Sequence, residues 1–339
     1  MKRRLRVPKI RKSKYVKAVK FESDYQINWQ KYVPELKKYR IKSVDFLGIP
    51  GDAPKDFIYD REYRPGHRSR QHPTDKFIAK VGSKYCPLES VTEHIITRIG
   101  QCFGLCIADS KLRTIEGQVR FLSRYFLKVG EQLTHGAEIY EYSLGKENYA
   151  ELSEQKLEAN YFTFQMTYEA IKVLFQGDET RIIRGYVEML TFDAIIGHND
   201  RHPYNWGVIV PLKKTRKPHF APVFDTARAL FWNIPEKRVV QMLTDNRQFE
   251  TYIDECNPPI GWDGKKGVAF FELIGLIWDE FPFLRENINK FLNADTLNKI
   301  EKILDDEFGD LLSHDRRKLI MKCLHQRHIR VKDAVYNGM

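Results

Sequence analysis

The stretch from Asp193 to Gly207 constrains the fold of this chain more than any other. An apolar helical run ends at Gly197 and leads into a turn that is dense in groups able to bind protons, phosphate or metal ions. The residues after the turn, 206–210, are apolar and β-prone, so a strand is predicted there. Because this helix and this strand are both apolar and are expected to be buried, the polar turn between them is expected to be exposed.

The polar turn contains a proton acceptor and an oxygen ligand. Asp200 is the natural acceptor, and Asn205, five residues later, offers a neutral amide oxygen. Asp225 adds a carboxylate after the apolar segment 220–224, which is predicted as a second strand. A carboxylate and an amide oxygen suit Mg²⁺, which takes a few protein oxygens together with water and phosphate. The two segments therefore predict a metal-phosphate centre.

Zinc and purely structural roles are the alternatives for this turn. His198 and His202 lie four residues apart, which would suit zinc on a helix. Gly197 and Pro203 bracket them, so a helix through both is not expected. Singly, an Asp-Arg pair is often a surface ion pair and an Asn is often a turn former. Together, within an apolar frame, these residues favour a functional site.

A short strand with a lysine inside it is predicted upstream of the turn. Residues 76–81 are largely apolar and lie between Asp75 and Gly82. Lys80 lies within this strand, where an outward-facing lysine is the plain alternative. Residues 48–75 are rich in Gly, Pro, His and charge, and predict a long exposed loop or a hairpin.

Residues 90–103 have the apolar period of a helix, and Glu93 lies on its predicted first turn. Ser90-Val91-Thr92-Glu93 also fits a capping box, in which Glu93 only closes the helix N-terminus. The sequence leaves both a functional and a capping role open for Glu93.

The order of the remaining elements predicts an α+β fold. Residues 43–47 and the β-prone run 119–127 are predicted strands, and helical periods dominate from about residue 150, including 161–175, 181–196 and 269–339. Segregated strands and helices are typical of α+β folds rather than of parallel βαβ folds. Residues 243–267 contain loop-forming residues and are predicted to form a substrate-facing segment.

The net charge of +11 belongs to an N-terminal arm. Residues 1–20 contain ten bases and no acid, whereas the other 319 residues hold 46 bases and 45 acids. The arm is either a solvated leader or a segment that contacts nucleic acid or an anionic surface. No apolar run reaches the roughly 18 residues of a membrane span, and the five loosely spaced cysteines indicate free thiols in a reducing cytosol. A cytoplasmic location is predicted.

The motifs Asp200-x-His202-x-x-Asn205 and Phe224-Asp225-Thr226 resemble the catalytic and metal-binding motifs of HipA-like serine/threonine kinases. These are bacterial toxin kinases related in fold to protein kinases and phosphatidylinositol kinases. The resemblance covers roughly residues 76–335. It implies a bilobal protein-kinase-like fold with a small β-rich N-lobe, residues 41–130, and a larger, mostly helical C-lobe, residues 131–339. A basic arm and lead-in, residues 1–40, would precede both.

The resemblance also implies roles for six residues and two cofactors, ATP and Mg²⁺. Asp200 would accept or orient the substrate hydroxyl proton, and His202 would brace the catalytic loop. Asn205 and Asp225 would hold Mg²⁺ against the ATP phosphates. Lys80 would hold the α- and β-phosphates, and Glu93 would orient Lys80.

This chain departs from the family upstream of the lysine strand. The counterpart of the phosphate-covering loop falls in residues 62–75, which contain one glycine and many bases. Gly66 and Arg68 are predicted to contact phosphate there, and Ser69 is either an autophosphorylation site or an ordinary loop residue. Only about 75 residues precede the kinase core, so the chain resembles a compact variant of the family.

Three hypotheses about function follow. The first is an ATP- and Mg²⁺-dependent protein kinase with a protein substrate, a toxin-like role and an antitoxin-like partner. The second is a kinase of a small molecule or a lipid headgroup, because Asp-Arg-His-x-x-Asn also resembles phosphatidylinositol kinases. The third is a non-catalytic module that binds nucleic acid or an antitoxin, which the intact Lys80, Asp200, Asn205 and Asp225 disfavour.

Overall fold

A computed structural model describes residues 29–37, 41–43, 55–61, 74–82, 87–154, 162–213, 216–265 and 267–337. Its strands are β1 Ile41–Ser43, β2 Lys55–Arg61, β3 Thr74–Lys80, β4 Ser110–Ile115, β5 Gln118–Arg124, β6 Glu131–His135, β7 Gly207–Pro211 and β8 His219–Phe220. Its helices are α1 Trp29–Tyr32, α2 Pro87–Cys102, α3 Gly136–Leu144, α4 Lys146–Glu154, α5 Phe164–Leu174, α6 Glu179–Ile196, α7 Glu236–Thr244, α8 Asn246–Asp254, α9 Phe270–Glu280, α10 Arg285–Asn289, α11 Asp295–Phe308 and α12 His314–Tyr336. Two 3-10 turns, Pro203–Asn205 and Pro282–Leu284, complete the described elements.

The N-terminal lobe is a five-stranded antiparallel sheet with helix α2 packed on it. The strand order is β1-β2-β3-β5-β4, and α2 packs against β4 and β5. Glu116 and Gly117 join β4 to β5, and both have positive φ, 51° and 78°. Such a two-residue turn matches the right-handed twist of the strands that it connects. In the register of the sheet, Lys80 lies between Lys55 on β2 and Phe121 on β5.

The C-terminal lobe is built around helix α6. Every residue of α6 from Met189 to Ile196 is buried, so no face of its C-terminal half meets solvent. Helices α5, α9, α10 and α12 pack against it. A helix that is buried on all sides marks the centre of a large core.

The transition from α6 to the polar turn depends on a glycine. Gly197 ends the helix in the left-handed conformation, with φ 71° and ψ 47°, where glycine is the favoured residue. A Cβ there would also lie 2.9 Å from Arg327 Nε, which is too close for a side chain. The chain then enters the 3-10 turn Pro203–Asn205 and continues into β7, which pairs with β6 and β8 in a three-stranded sheet.

The predicted α+β, bilobal protein-kinase-like architecture is confirmed. The strands at 76–81, 119–127 and 206–210 and the helices at 161–175 and 181–196 are present with shifted ends. The region 48–75 contains β2 and the first two residues of β3, which pair as a hairpin, and the tip between them lies outside the described residues. Of the short strand predicted at 43–47, only Ser43 is described, as the last residue of β1. Residues 44–47 lie outside the described residues.

Two predictions about local structure were wrong. Helix α2 begins at Pro87 rather than at Ser90, so Glu93 lies in its second turn and cannot close a capping box. Its side chain contacts Lys80 instead. Residues 243–267 are not only loop, since they include α8, which Asp245 caps by accepting hydrogen bonds from the Arg247 and Gln248 amides.

The N-terminal arm, residues 1–20, lies outside the described residues. The domain boundaries proposed from the sequence stay predictions. In the described part of the chain, no helix is long and apolar enough to cross a membrane.

Candidate active site

A cavity of about 520 Å³ lies between the five-stranded sheet and the helical lobe. Residues from both lobes and from the segment that connects them line this cavity. They include Lys55, Ile78, Lys80, Val81, Glu93, Tyr125, Phe126, Leu133, His135, Asp200, His202, Tyr204, Asn205, Phe224, Asp225 and Arg228. All six site residues predicted in the described part of the chain line this one cavity. Gly66, Arg68 and Ser69 lie outside the described residues.

Lys80 bridges two carboxylates from opposite lobes. Its Nζ donates to Glu93 Oε1 at 2.8 Å and to Asp225 Oδ1 at 2.9 Å. Lys80 enters from the end of β3, Glu93 from α2, and Asp225 from the segment after β8. The alternative that Lys80 faces outward into solvent is therefore wrong, because only 12% of its side chain is exposed.

The charges of Lys80, Glu93 and Asp225, termed here the triad, stabilise one another against the energetic cost of burial. Burial opposes the charged form of Lys80, but Asp225 and Glu93 outweigh it and hold the Lys80 pKa above its ordinary value. Burial likewise opposes ionised Asp225, but Lys80 and Lys55 outweigh it and hold the Asp225 pKa well below its ordinary value. At neutral pH the site therefore holds an ammonium ion and an ionised aspartate.

Glu93 behaves differently because it is the most buried member of the triad. Burial raises the pKa of Glu93 from 4.5 to about 6, although Lys80 acts in the opposite direction. Asp225 and Glu89 raise it further by like-charge repulsion. Glu93 is still ionised at neutral pH, and it takes up a proton at a less acidic pH than an ordinary glutamate does.

This shift gives a testable dependence of stability on pH. Between pH 4.5 and about 6 the folded state holds a proton on Glu93 that the unfolded state has released. The contribution of Glu93 to the free energy of unfolding should therefore fall by about 2 kcal/mol as the pH rises through this window and stay constant above it. Urea unfolding of the wild type and Glu93→Gln, from pH 4.5 to 7, should show this fall only in the wild type.

Glu280→Gln is the matched control because Glu280 is an exposed glutamate at the end of α9. It should retain the pH dependence of the wild type. Parallel curves for the wild type and Glu93→Gln would show that the Glu93 carboxyl has an ordinary pKa.

Asp225 is held in a backbone conformation that non-glycine residues seldom adopt. Its φ is 55°, a left-handed value that surrounding contacts must maintain. Besides Lys80, Lys55 Nζ lies 3.6 Å from Asp225 Oδ2. Each oxygen of the Asp225 carboxylate thus faces its own lysine.

Asp200 and Asn205 are joined through the loop backbone. The amide nitrogen of the Asn205 side chain donates to the Asp200 carbonyl oxygen at 2.8 Å. This bond orients the amide and leaves its carbonyl oxygen as the atom able to bind a cation. The Asp200 carboxylate lies 3.4 Å from Arg228 Nε, and about a third of its side chain is exposed, 34%.

Arg201 joins the polar turn to helix α6 and to the segment that carries Asp225. It forms a bidentate ion pair with Asp193, with Nε 2.8 Å and NH2 2.9 Å from the two carboxylate oxygens. Its NH1 group donates to the carbonyl oxygens of Asn205 and Phe224, at 2.9 Å and 2.7 Å. One buried guanidinium therefore connects α6, the polar turn and the segment that carries Asp225. Arg201 pairs with Asp193 on α6 and does not form a surface ion pair with its neighbour in the turn, Asp200.

The two histidines of the turn differ in environment. His198 is buried, and burial together with nearby Arg201 lowers its pKa well below the ordinary value, so it is neutral. His202 caps the 3-10 turn through Nδ1, which accepts from the Tyr204 amide at 3.3 Å. This contact lies within the loop, and both the bracing role and the catalytic role of His202 stay predictions.

Magnesium fits the residues of the site better than zinc does. Asn205 and Asp225 both face the cavity and present hard oxygen atoms. Within the described ranges, no group of three or more His, Cys, Asp or Glu side chains is placed to hold a metal ion. One carboxylate, one amide and ligands from a substrate could together hold a cation here.

Comparison with known proteins identifies the family. The sequence profile of the HipA-like C-terminal domain matches residues 47–268, well over half of the chain. This chain belongs to the HipA-like family. The match includes Lys80, Glu93, the polar turn and Asp225.

A solved structure shares the fold of this chain. The Helicobacter pylori proinflammatory kinase CtkA superposes with a TM-score of 0.69 at 14% identity, covering 90% of this chain and 98% of that one. HipA of Shewanella oneidensis, from a complex with HipB and operator DNA, has a TM-score of 0.45 at 13% identity, covering 86% of this chain and 67% of that one. No curated protein sequence matches the chain.

Four charged residues of this HipA-like site were missed by sequence reasoning. Lys55 and Arg228 lie far from their partners in sequence, and Asp193 and Arg201 resemble an ordinary helix end and turn. One signal could have found such a residue: Asp193 is a charged residue at the end of an apolar run. A carboxylate buried in a core without a partner is energetically costly, so this pattern indicates a buried partner.

Proposed function

We propose that this HipA-like chain is an ATP- and Mg²⁺-dependent phosphotransferase, a serine/threonine protein kinase that transfers the γ-phosphoryl group to a protein hydroxyl. The observation that carries the proposal is the Lys80 ammonium, held between Glu93 and Asp225 at the wall of the cavity that also contains Asp200 and Asn205. In phosphoryl transfer the protein mostly positions groups and neutralises charge.

The cavity provides separate surfaces for the nucleobase and the phosphates. Ile78, Val81, Phe126, Leu133 and Phe224 supply an apolar lining, which suits a flat heteroaromatic base. The phosphates would lie against Lys80 and Lys55, whose ammonium groups both face Asp225.

Asn205 and Asp225 are the residues that would hold Mg²⁺, through the amide carbonyl oxygen and the carboxylate. The bound cation would supply neutralisation of the charge on the β- and γ-phosphate oxygens. The Asp225 carboxylate has about four lone-pair sites, so it could bind the cation while it still faces Lys80 and Lys55.

Asp200 would orient the acceptor hydroxyl and take its proton as the new P–O bond forms and ADP leaves. Its partial exposure at the cavity gives an acceptor access. Arg228 balances the Asp200 charge at 3.4 Å, and an incoming acceptor can displace this contact since both side chains are partly exposed. An antitoxin-like partner, a toxin-like role and a cytoplasmic location stay predictions from the sequence.

The decisive measurement is transfer of labelled γ-phosphate from ATP, with Mg²⁺, to the chain itself and to dephosphorylated casein. The wild type should label at least one of them, and Asp200→Ala should lower the rate by about 10²–10⁴-fold, the usual contribution of a positioned general base. Asp279→Ala is the matched control because Asp279 is an exposed aspartate on α9, and its rate should equal that of the wild type.

Two outcomes would contradict the proposal. Absence of labelling by the wild type, together with no thermal stabilisation by ATP and Mg²⁺, would leave a HipA-like fold without catalysis. Labelling of phosphatidylinositol vesicles or glycerol, but of no protein, would make the chain a lipid or small-molecule kinase.

A further inference from the structure

Residues 29–37, termed here the N-terminal strap, precede the part of the chain that matches the HipA-like family. The strap comprises helix α1 and an extended segment that ends at Lys37. It contributes no side chain to the active-site cavity. Even so, Trp29, Val33 and Leu36 are buried, with exposures of 8%, 3% and 2%. A solvated leader would not bury three large side chains.

One end of the strap is joined to the N-terminal lobe. It runs parallel to β4, the edge strand of the sheet, through the bridge between Glu35 and Thr114. The Leu36 amide donates to the Thr114 carbonyl at 2.9 Å, and the Thr114 amide donates to the Pro34 carbonyl at 2.9 Å. The Thr114 hydroxyl also donates to the Val33 carbonyl at 3.2 Å. Three hydrogen bonds to one strand residue fix the register of the strap on the sheet.

The other end of the strap is joined to the C-terminal lobe. Trp29 Nε1 donates to the carbonyl oxygen of Leu311, between α11 and α12, at 3.0 Å in a buried environment. Trp29 and Val33 belong to the large hydrophobic core, whereas Leu36 belongs to the small core of the sheet. A segment of nine residues therefore connects both cores.

The strap lies across a cavity from helix α2, which carries Glu93. The strap, β4, the end of α11 and His94 of α2 together surround a cavity of about 230 Å³. His94 contacts Ser110 on β4 through Nδ1 and Oγ at 2.8 Å, and its ring lies 5.6 Å from that of Phe308 on α11. Arg98 adds an ion pair from α2 to Glu307. The outer side of α2 thus contacts β4 and α11, and the strap is joined to β4 at Thr114 and to the segment after α11 at Leu311.

We propose that the N-terminal strap is a positioning element, with Trp29 as its anchor, that holds helix α2 where Glu93 meets Lys80. The Lys80–Glu93 bond of 2.8 Å would break if α2 moved outward by a few ångströms, because hydrogen bonds weaken steeply beyond about 3.2 Å. Release of Trp29 removes the link to Leu311 and frees α2 to make that movement. The consequence for ATP rests on the proposed function, whereas the consequence for α2 does not.

The test uses the full chain with Trp29→Phe, which keeps an aromatic ring but removes the indole N–H. Hydrogen exchange should become about tenfold faster in α2, because loss of one buried hydrogen bond shifts a local opening equilibrium by about that factor. Exchange in α9 and α12 should be unchanged. The KM for ATP should rise while Asp200-dependent transfer persists. Trp278→Phe, the same substitution on α9, is the matched control and should change neither quantity.

Two outcomes overturn the inference. Unchanged exchange in α2 would show that the strap does not position it. Uniformly faster exchange in α2, α9 and α12 would make Trp29 a general core residue. Faster exchange in α2 alone, in a chain whose wild type transfers no phosphate, would support the strap and contradict the proposed kinase activity, so the two failures are distinguishable.

Discussion

Replacing Lys80 with methionine is expected to lower ATP-dependent phosphotransfer by roughly 10²–10³-fold, the loss typical when one preorganised donor is removed from a charged transition state. Methionine keeps an unbranched apolar side chain but carries no charge. Glu93 and Asp225 would lose the cation that they share at 2.8 Å and 2.9 Å. Steady-state kcat/KM for ATP, measured with the acceptor that the wild type labels, gives the size of the loss.

Lys76→Met is the matched control for this substitution. Lys76 lies on the same strand, β3, but its side chain is exposed and lies against the Tyr59 ring, with Nζ 6.0 Å from the ring centroid. Its kcat/KM should equal that of the wild type. A Lys80→Met chain as active as Lys76→Met would exclude Lys80 from the reaction, and with it the observation on which the proposed function rests.

Replacing Arg201 with methionine is expected to lower the free energy of unfolding by about 3–5 kcal/mol, the usual loss when one partner of a buried ion pair is removed. Asp193 would remain as a fully buried carboxylate, and the carbonyl oxygens of Asn205 and Phe224 would lose their donor. Burial raises the pKa of Asp193 even beside Arg201, so without the guanidinium it should become protonated. Urea unfolding measures the loss.

Two further variants isolate the cause. Arg216→Met removes an arginine whose side chain is 61% exposed and lies 3.1 Å from Glu131, and should cost less than about 1 kcal/mol. Adding Asp193→Asn to Arg201→Met should restore part of the loss, since no carboxylate remains unpaired. Equal urea midpoints for Arg201→Met and Arg216→Met would show that the buried pair does not stabilise the loop.

The polar turn was predictable because its information is local. An apolar helix, a glycine and an apolar strand follow one another in the chain, so the side chains between them must face outward together. Asp200 and Asn205 lie within this turn, and Asp225 follows the next apolar segment in the same way. Resemblance to the family added Lys80 and Glu93, and their residue types and order sufficed for that.

The predictions that failed depended on where a helix starts or on what packs against it. Ser90 to Glu93 has the composition of a capping box, but α2 starts earlier, at Pro87. The Glu93 side chain on α2 instead pairs with Lys80 on β3. Capping motifs are short and frequent, so a pairing that forms only in the tertiary structure readily overrides them.

By itself, the sequence determined the α+β class and the polar turn, because these follow from hydrophobic periodicity and from short spacings. Only the tertiary structure decided the partners of the charged side chains: Lys55 with Asp225, Arg201 with Asp193 and Arg228 with Asp200. The contact of Trp29 with Leu311, 282 residues away, was decided in the same way. The physical reason is that a buried charge or donor must be satisfied by whichever group packing brings within about 3 Å, and that group can come from any part of the chain.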